Sequence, residues 1–179
     1  MPAVASRVTT GAVTEPRSLT EPDSEPQRLA EAAAAAMLAG DRATNALGIA
    51  LDAVGPGRAV MSMRVADTML NGHGTCHGGY LFTLADTAFA FACNSHNARA
   101  VAQECSVTFL APAQVGERLV ATARERHRRG RTGLYDVTVE GPHGAVAEFR
   151  GLSRTVRGHH RPDLAPASEQ QSKPEPPHA

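Results

Sequence analysis

The residues able to do chemistry gather where a loop turns into an apolar segment. Asn71-Gly72-His73-Gly74-Thr75-Cys76-His77 leads into Gly78-Gly79-Tyr80-Leu81-Phe82-Thr83-Leu84-Ala85-Asp86-Thr87-Ala88-Phe89-Ala90-Phe91-Ala92-Cys93. A helix that is apolar on nearly every face belongs inside a fold. A carboxylate on it, Asp86, costs free energy to desolvate unless it has partners or does chemistry. His77 and two glycines mark the start of this helix, where unpaired backbone N–H groups are available. One acid and one electropositive helix start are the parts of an acyl-transfer site.

Acyl transfer passes through a tetrahedral oxyanion, which N–H groups at a helix start stabilise by hydrogen bonds and by the helix dipole. Gly78 lets a carbonyl approach the backbone with no Cβ in the way. Asp86 then serves as nucleophile, through a mixed anhydride, or as general base. No general acid stands out nearby, which suits a leaving group such as a thiolate that needs little acid assistance, because thiols ionise near ~8.5. Gly78 and Asp86 are eight residues apart, about 12 Å along one helix, too far to touch one carbonyl together. A site using both draws them from two subunits, which makes the protein an obligate oligomer. The alternative for Asp86 is a buried acid capping a neighbouring loop. His77 also reads as a helix-start residue holding the loop, and Asn71 as a turn residue before Gly72.

His73, Cys76 and His77 lie too close along a glycine loop to surround one metal ion, and no further pair stands at zinc spacing. No metal is expected. Cys76, Cys93 and Cys105 are odd in number and lack a framework spacing, so they read as reduced thiols of a cytoplasmic protein. Arg124, Arg126, His127, Arg128, Arg129 and Arg131 cluster at a strand–turn–strand. They form either a solvated hairpin tip or a phosphate cradle, since arginine forks match phosphate oxygens.

The elements that must position these groups follow from periodicity. A helix is predicted over Pro26 to about Ala39, with Gly40 as its stop and a short helical turn from Arg42 to Leu47. Arg58–Val65 alternates with period two and reads as a strand. Beyond the apolar helix come four strand-like segments, Ala100–Leu110, Arg118–Arg126, Gly133–Glu140 and Ala145–Val156, separated by Pro- and Gly-containing turns. The expected fold is α+β, an antiparallel sheet wrapped around a long central helix. The domain should span 26–158, flanked by disordered tails over 1–25 and 159–179 that are rich in Pro, Ser and Glu. Among 179 residues, 42% are hydrophobic but only 4% aromatic, so Ala, Val and Leu must fill the core. The net charge is zero, which argues against bulk binding to nucleic acid or an anionic membrane. No apolar run approaches the ~20 residues that cross a bilayer.

The ordered set Leu70-Asn71-Gly72-His73, Cys76-His77-Gly78-Gly79, Leu84-Ala85-Asp86-Thr87-Ala88, Phe109-Leu110-Ala111-Pro112, Thr132-Gly133-Leu134-Tyr135-Asp136 and Phe149-Arg150-Gly151 resembles the hotdog-fold acyl-CoA thioesterases. The similarity is greatest to the phenylacetate-pathway (PaaI-type) branch. The resemblance implies hydrolysis of phenylacetyl-CoA-like esters, active sites at a two-fold interface, and a homotetramer built from dimers. It implies catalytic roles for Asp86 and Gly78, with His77 beside the oxyanion site and Asn71 binding substrate or ordering water. It also places Arg131, Thr132 and Gly133 near the nucleotide of coenzyme A, which is part of the substrate rather than a separate cofactor. A non-catalytic acyl-CoA sensor and a hydratase of the same fold are the rivals.

Overall fold

The computed structural model describes residues 24–167, so of the tails expected over 1–25 and 159–179 the stretches 1–23 and 168–179 lie outside the described residues. Helix α1 spans Glu25–Gly40. Ser24 caps it by accepting from the Gln27 N–H, and Pro26 stands in the first turn, where its missing N–H costs nothing. Ala30, Ala33 and Ala34 are buried, so the alanine run brings the helix close to the sheet. Asp41 ends α1 and caps α2 (Arg42–Ala46) by accepting from Thr44 N at 3.0 Å.

Six strands follow around one further helix: β1 (Ala50–Gly55), β2 (Arg58–Arg64), α3 (Gly78–Asn94), β3 (Ala98–Phe109), β4 (Arg118–Arg129), β5 (Thr132–Gly141) and β6 (Gly144–His159). They form one antiparallel sheet in the order β1-β2-β4-β5-β6-β3. The sequence reading had five strands and missed β1. This edge strand is mostly exposed or half-buried, with a register shift between Leu51 and Ala53, so it carries no clean alternation.

The inner face of the sheet alternates as period two requires. Ala59, Met61 and Met63 of β2, Leu119, Ala121 and Ala123 of β4, Tyr135, Val137 and Val139 of β5 and Phe149 of β6 are all buried against α3. Phe89 of α3 meets Tyr135 and Phe149 with ring centroids 5.4 and 5.7 Å apart. Gly151 gives this ring its seat, since a Cβ there would lie 2.8 Å from Phe89 Cε2. The Tyr135 hydroxyl donates to Glu125 Oε2 at 2.8 Å, and His96 Nε2 lies 2.8 Å from the same oxygen. That bond from His96 is the main reason the Glu125 carboxyl is held below its usual range. The outer face carries polar pairs such as Asp136–Arg150 at 2.7 Å, which are exposed and worth little each.

Two features depart from expectation. The sheet covers only one side of α3: Thr83, Asp86, Thr87 and Ala90 remain half-buried and Gly79 is exposed. The helix is therefore not enclosed by its own chain. The C-terminal boundary also moves beyond 158. Asn97, in the left-handed region at φ 68°, donates to Arg161 O and accepts from Arg161 N, while His160 Nε2 donates to Asn94 Oδ1 at 2.6 Å. The chain past β6 is thereby tied to the end of α3, and Ala165 is buried.

Candidate active site

The loop from Asn71 to His77 is held by its own side chains. Asn71 Oδ1 accepts from His73 N at 2.9 Å and Thr75 N at 3.3 Å, and its Nδ2 donates to Thr75 Oγ1. Gly74 adopts φ 74°, a conformation that favours glycine. Asn71 therefore does act as a turn residue, and it also lines the cleft described below. Cys76 N donates to Ala113 O and His77 N to Met69 O, which fixes the direction in which the chain enters α3.

His77 is the N-cap of α3, and its Nδ1 accepts from Gly79 N at 2.9 Å. With Nδ1 accepting, the neutral ring carries its proton on Nε2. The Tyr80 N–H is taken by His77 O. Gly78 N–H has no hydrogen-bond acceptor among the described residues. This bare donor stands at the positive end of a 17-residue helix, where negative charge is favoured.

A cleft of about 600 Å³ opens at this point, with Asn71, Thr75, His77 and Gly78 on its polar side and Phe82, Phe109, Leu110 and Pro112 on its apolar side. It is the kind of site that small acyl ligands occupy, an apolar hollow with a few convergent polar groups. The sequence did not single out Phe82, Phe109 or Leu110 as site residues. The Phe109-Leu110-Ala111-Pro112 motif was the signal for Phe109 and Leu110, and Phe82 had none beyond its place on the apolar helix.

Asp86 does not line this cleft. It lies two turns along α3, half-buried, and the bond it makes comes from Cys105 Sγ of β3, 3.8 Å from its Oδ1. Burial raises its carboxyl above the ordinary range, and the Cys105 bond draws it partly back. The Cys105 thiol is pushed up to about 11 and that of Cys93 to about 12, first by burial and then by the Asp86 charge. Burial raises Cys76 too. None of the three is thereby prepared as a thiolate nucleophile. Among the described residues, no group of three His, Cys, Asp or Glu side chains is arranged to hold a metal ion.

Arg131, Thr132 and Gly133 stand elsewhere. Arg131 is exposed, with its Nε donating to Thr155 O at 2.9 Å, and Thr155 pairs with Ala100 at the start of β3. Phe109, beside the cleft, is nine residues further along the strand, about 30 Å at the rise of a β-strand. One chain therefore does not bring the arginine turn to the cleft. Gly133 is buried, and a Cβ there would meet Tyr135 Cε2 at 2.6 Å and Ser153 Oγ at 2.8 Å. It answers a packing need rather than offering a surface to a ligand.

The long strand β3 is an edge of the sheet, and Val101, Phe109 and Leu110 at or beside it are about half exposed. Natural proteins cover or disrupt such edges. The uncovered edge adjoins the uncovered side of α3 that carries Asp86.

Comparison with known proteins bears on the same elements. Residues 73–148 match the model of the thioesterase superfamily. The chain is 48% identical over 124 residues to the acyl-coenzyme A thioesterase PaaI of Escherichia coli K12, covering 69% of this chain and 89% of that protein. The solved structure of the E. coli PaaI protein from the phenylacetic acid degradation operon superposes with a TM-score of 0.73 at 46% identity, over 74% of this chain and 97% of that one. A Streptococcus mutans protein bound to acetyl-CoA superposes with a TM-score of 0.60 at 27% identity, over 62% and 90% of the two chains. With its six-stranded antiparallel sheet around a central helix, the chain belongs to the hotdog-fold thioesterase superfamily and, within it, to the PaaI-type acyl-CoA thioesterases.

Proposed function

We propose that this PaaI-type thioesterase hydrolyses aryl-acetyl-CoA esters, phenylacetyl-CoA and hydroxyphenylacetyl-CoA above all, at a site shared by two subunits. The observation that carries this reading is the bare Gly78 N–H at the start of α3, facing a cleft whose other wall is aromatic and aliphatic. The thioester carbonyl accepts from Gly78 N–H, and the donor strengthens its hold as the oxygen becomes an oxyanion. His77 Nε2–H and Asn71 stand beside it to orient the thioester or a water molecule.

The carboxylate comes from the partner. Two copies pairing β3 to β3 about a two-fold axis satisfy both edges and cover the open sides of both α3 helices, so each Asp86 faces the other chain's cleft. The same antiparallel pairing lays the start of one β3, with its arginine turn, beside the end of the other. Arg131 and Thr132 of the partner then stand where the nucleotide phosphates of coenzyme A reach. As general base, Asp86 takes a proton from water, the hydroxide adds to the carbonyl carbon, and the C–S bond breaks to release CoA thiolate and the acid. As nucleophile, it adds to the carbonyl carbon itself, expels the thiolate, and leaves a mixed anhydride for water to cleave.

The reaction needs no metal or redox group, with CoA entering as part of the substrate. Two such dimers build the proposed tetramer. Three unpaired cysteines favour a reducing, cytoplasmic setting, and no helix among the described residues is long and apolar enough to cross a membrane. Incubation with phenylacetyl-CoA and a thiol reagent tests the proposal: free CoA should appear with multiple turnovers. Binding without CoA release would make the protein a sensor instead. A preference for short aliphatic esters across a panel of acyl-CoAs would overturn the aryl assignment.

A further inference from the structure

Gly78 has a second use besides its bare amide. A Cβ at that position would lie 2.8 Å from Phe109 Cζ and 3.1 and 3.2 Å from its Cε1 and Cε2. The tip of the ring therefore fills the space that any other residue would occupy with its side chain. Phe109 is the last residue of β3. Beyond it, Leu110 N and Ala111 N both donate to Val146 O, at 2.9 and 3.3 Å, and Pro112 stiffens the exit. The backbone is thereby fixed, and the ring position rests on its side-chain torsions alone. Phe109 is 52% exposed, so its own chain covers only part of the ring. Phe82, Leu110 and Phe109 together form the apolar wall next to the donor.

From this geometry we infer that Phe109 is the residue that selects the acyl group, favouring planar, ring-bearing acyl chains over short aliphatic ones. The inference rests on the proposed use of Gly78 as the oxyanion donor and adds the source of specificity at that site. A carbonyl bound to Gly78 N–H puts the first carbons of the acyl group beside the Phe109 ring. An aryl group one carbon from the carbonyl extends along that ring and gains aromatic contact and buried apolar area. An acetyl group ends before it can. Contacts of this kind sort substrates by roughly 10–200-fold.

The test is the ratio of kcat/KM for phenylacetyl-CoA to that for acetyl-CoA, measured on wild type, Phe109→Ala and Phe109→Leu, with native mass followed by size-exclusion chromatography. Phe109→Leu keeps apolar bulk at the strand end and so safeguards folding. The ratio should fall fivefold or more in both variants, with native mass unchanged. A ratio that moves less than fivefold while wild type is active overturns the inference alone. A fall in native mass, with both substrates lost in proportion, also overturns it and makes Phe109 an interface residue. A wild type inactive on both esters removes the thioesterase reading itself, and this inference with it.

Discussion

Replacing Asp86 by asparagine separates what the carboxylate does for the reaction from what it does to the fold. Asparagine has nearly the same shape and keeps an Oδ1 to accept from the Cys105 thiol, now 3.8 Å away, but it has neither charge nor basicity. Losing a nucleophile or base should lower kcat by roughly 10²–10⁴, about 3–5 kcal/mol of barrier. Substrate affinity should change little. Stability should move the other way. Burial raises the Asp86 pKa in the folded protein, so the native state binds this proton more tightly than the unfolded chain does. The cost of ionised Asp86 is absent below the unfolded value near ~3.9, grows as pH rises through the folded value, and is complete beyond it. Asp86→Asn should therefore melt at a higher temperature than wild type at neutral pH, and the difference should vanish at about pH 4 or below. Thiol-reagent detection of free CoA measures the first effect, and thermal unfolding followed by circular dichroism the second. Near wild-type turnover would remove Asp86 from the mechanism. A lower melting temperature at neutral pH would mark the carboxylate as a structural cap instead.

Two further outcomes follow from the contacts around the site. Cys105→Ala removes the bond that lowers the Asp86 pKa, so the acid limb of the kcat/KM profile should move to higher pH, and Cys105→Ser should move it back. An unmoved limb would mean the thiol does not act on this carboxylate. Arg131→Ala should raise KM for CoA esters at nearly constant kcat, because phosphate contacts bind ground and transition states alike. A pantetheine thioester, lacking the nucleotide, should show no difference, and equal KM for the CoA ester at low salt would place Arg131 outside the site.

The sequence made most of the sheet and the start of α3 legible, and the reasons differ by element. Strands β2, β4, β5 and β6 bury one face against a single helix, so period-two alternation marks them. β1 buries no full face and shows none. The His77-Gly78 junction was readable because a cap and its helix are neighbours in the chain. The partial exposure of α3 was not, since alanines suit both a covered and an uncovered face, and what covers Asp86 depends on a second molecule. Contacts such as Cys105 to Asp86 or Phe109 to Gly78 join segments 19 and 31 positions apart in the chain. No local pattern carries them. The place of the arginine turn was hidden for the same reason: its composition fits a phosphate cradle, but in one chain it lies at the far end of β3 from the cleft, so its role depends on a second molecule.

Subunit mixing tests the shared site most directly. Asp86→Asn and Gly78→Pro are each expected to be inactive when pure. Proline removes the donor N–H at a first-turn position that tolerates it. His77 already has the extended backbone, φ −64° and ψ 134°, that a following proline requires. Crowding of Phe109 by the new ring stays within the chain that has lost its donor. After verified exchange at equal amounts, half the dimers are mixed, and each mixed dimer holds one intact and one doubly defective site. Activity should recover to about a quarter of wild type per protomer, as random two-fold assembly dictates. No recovery would contradict a site built from Gly78 of one subunit and Asp86 of the other.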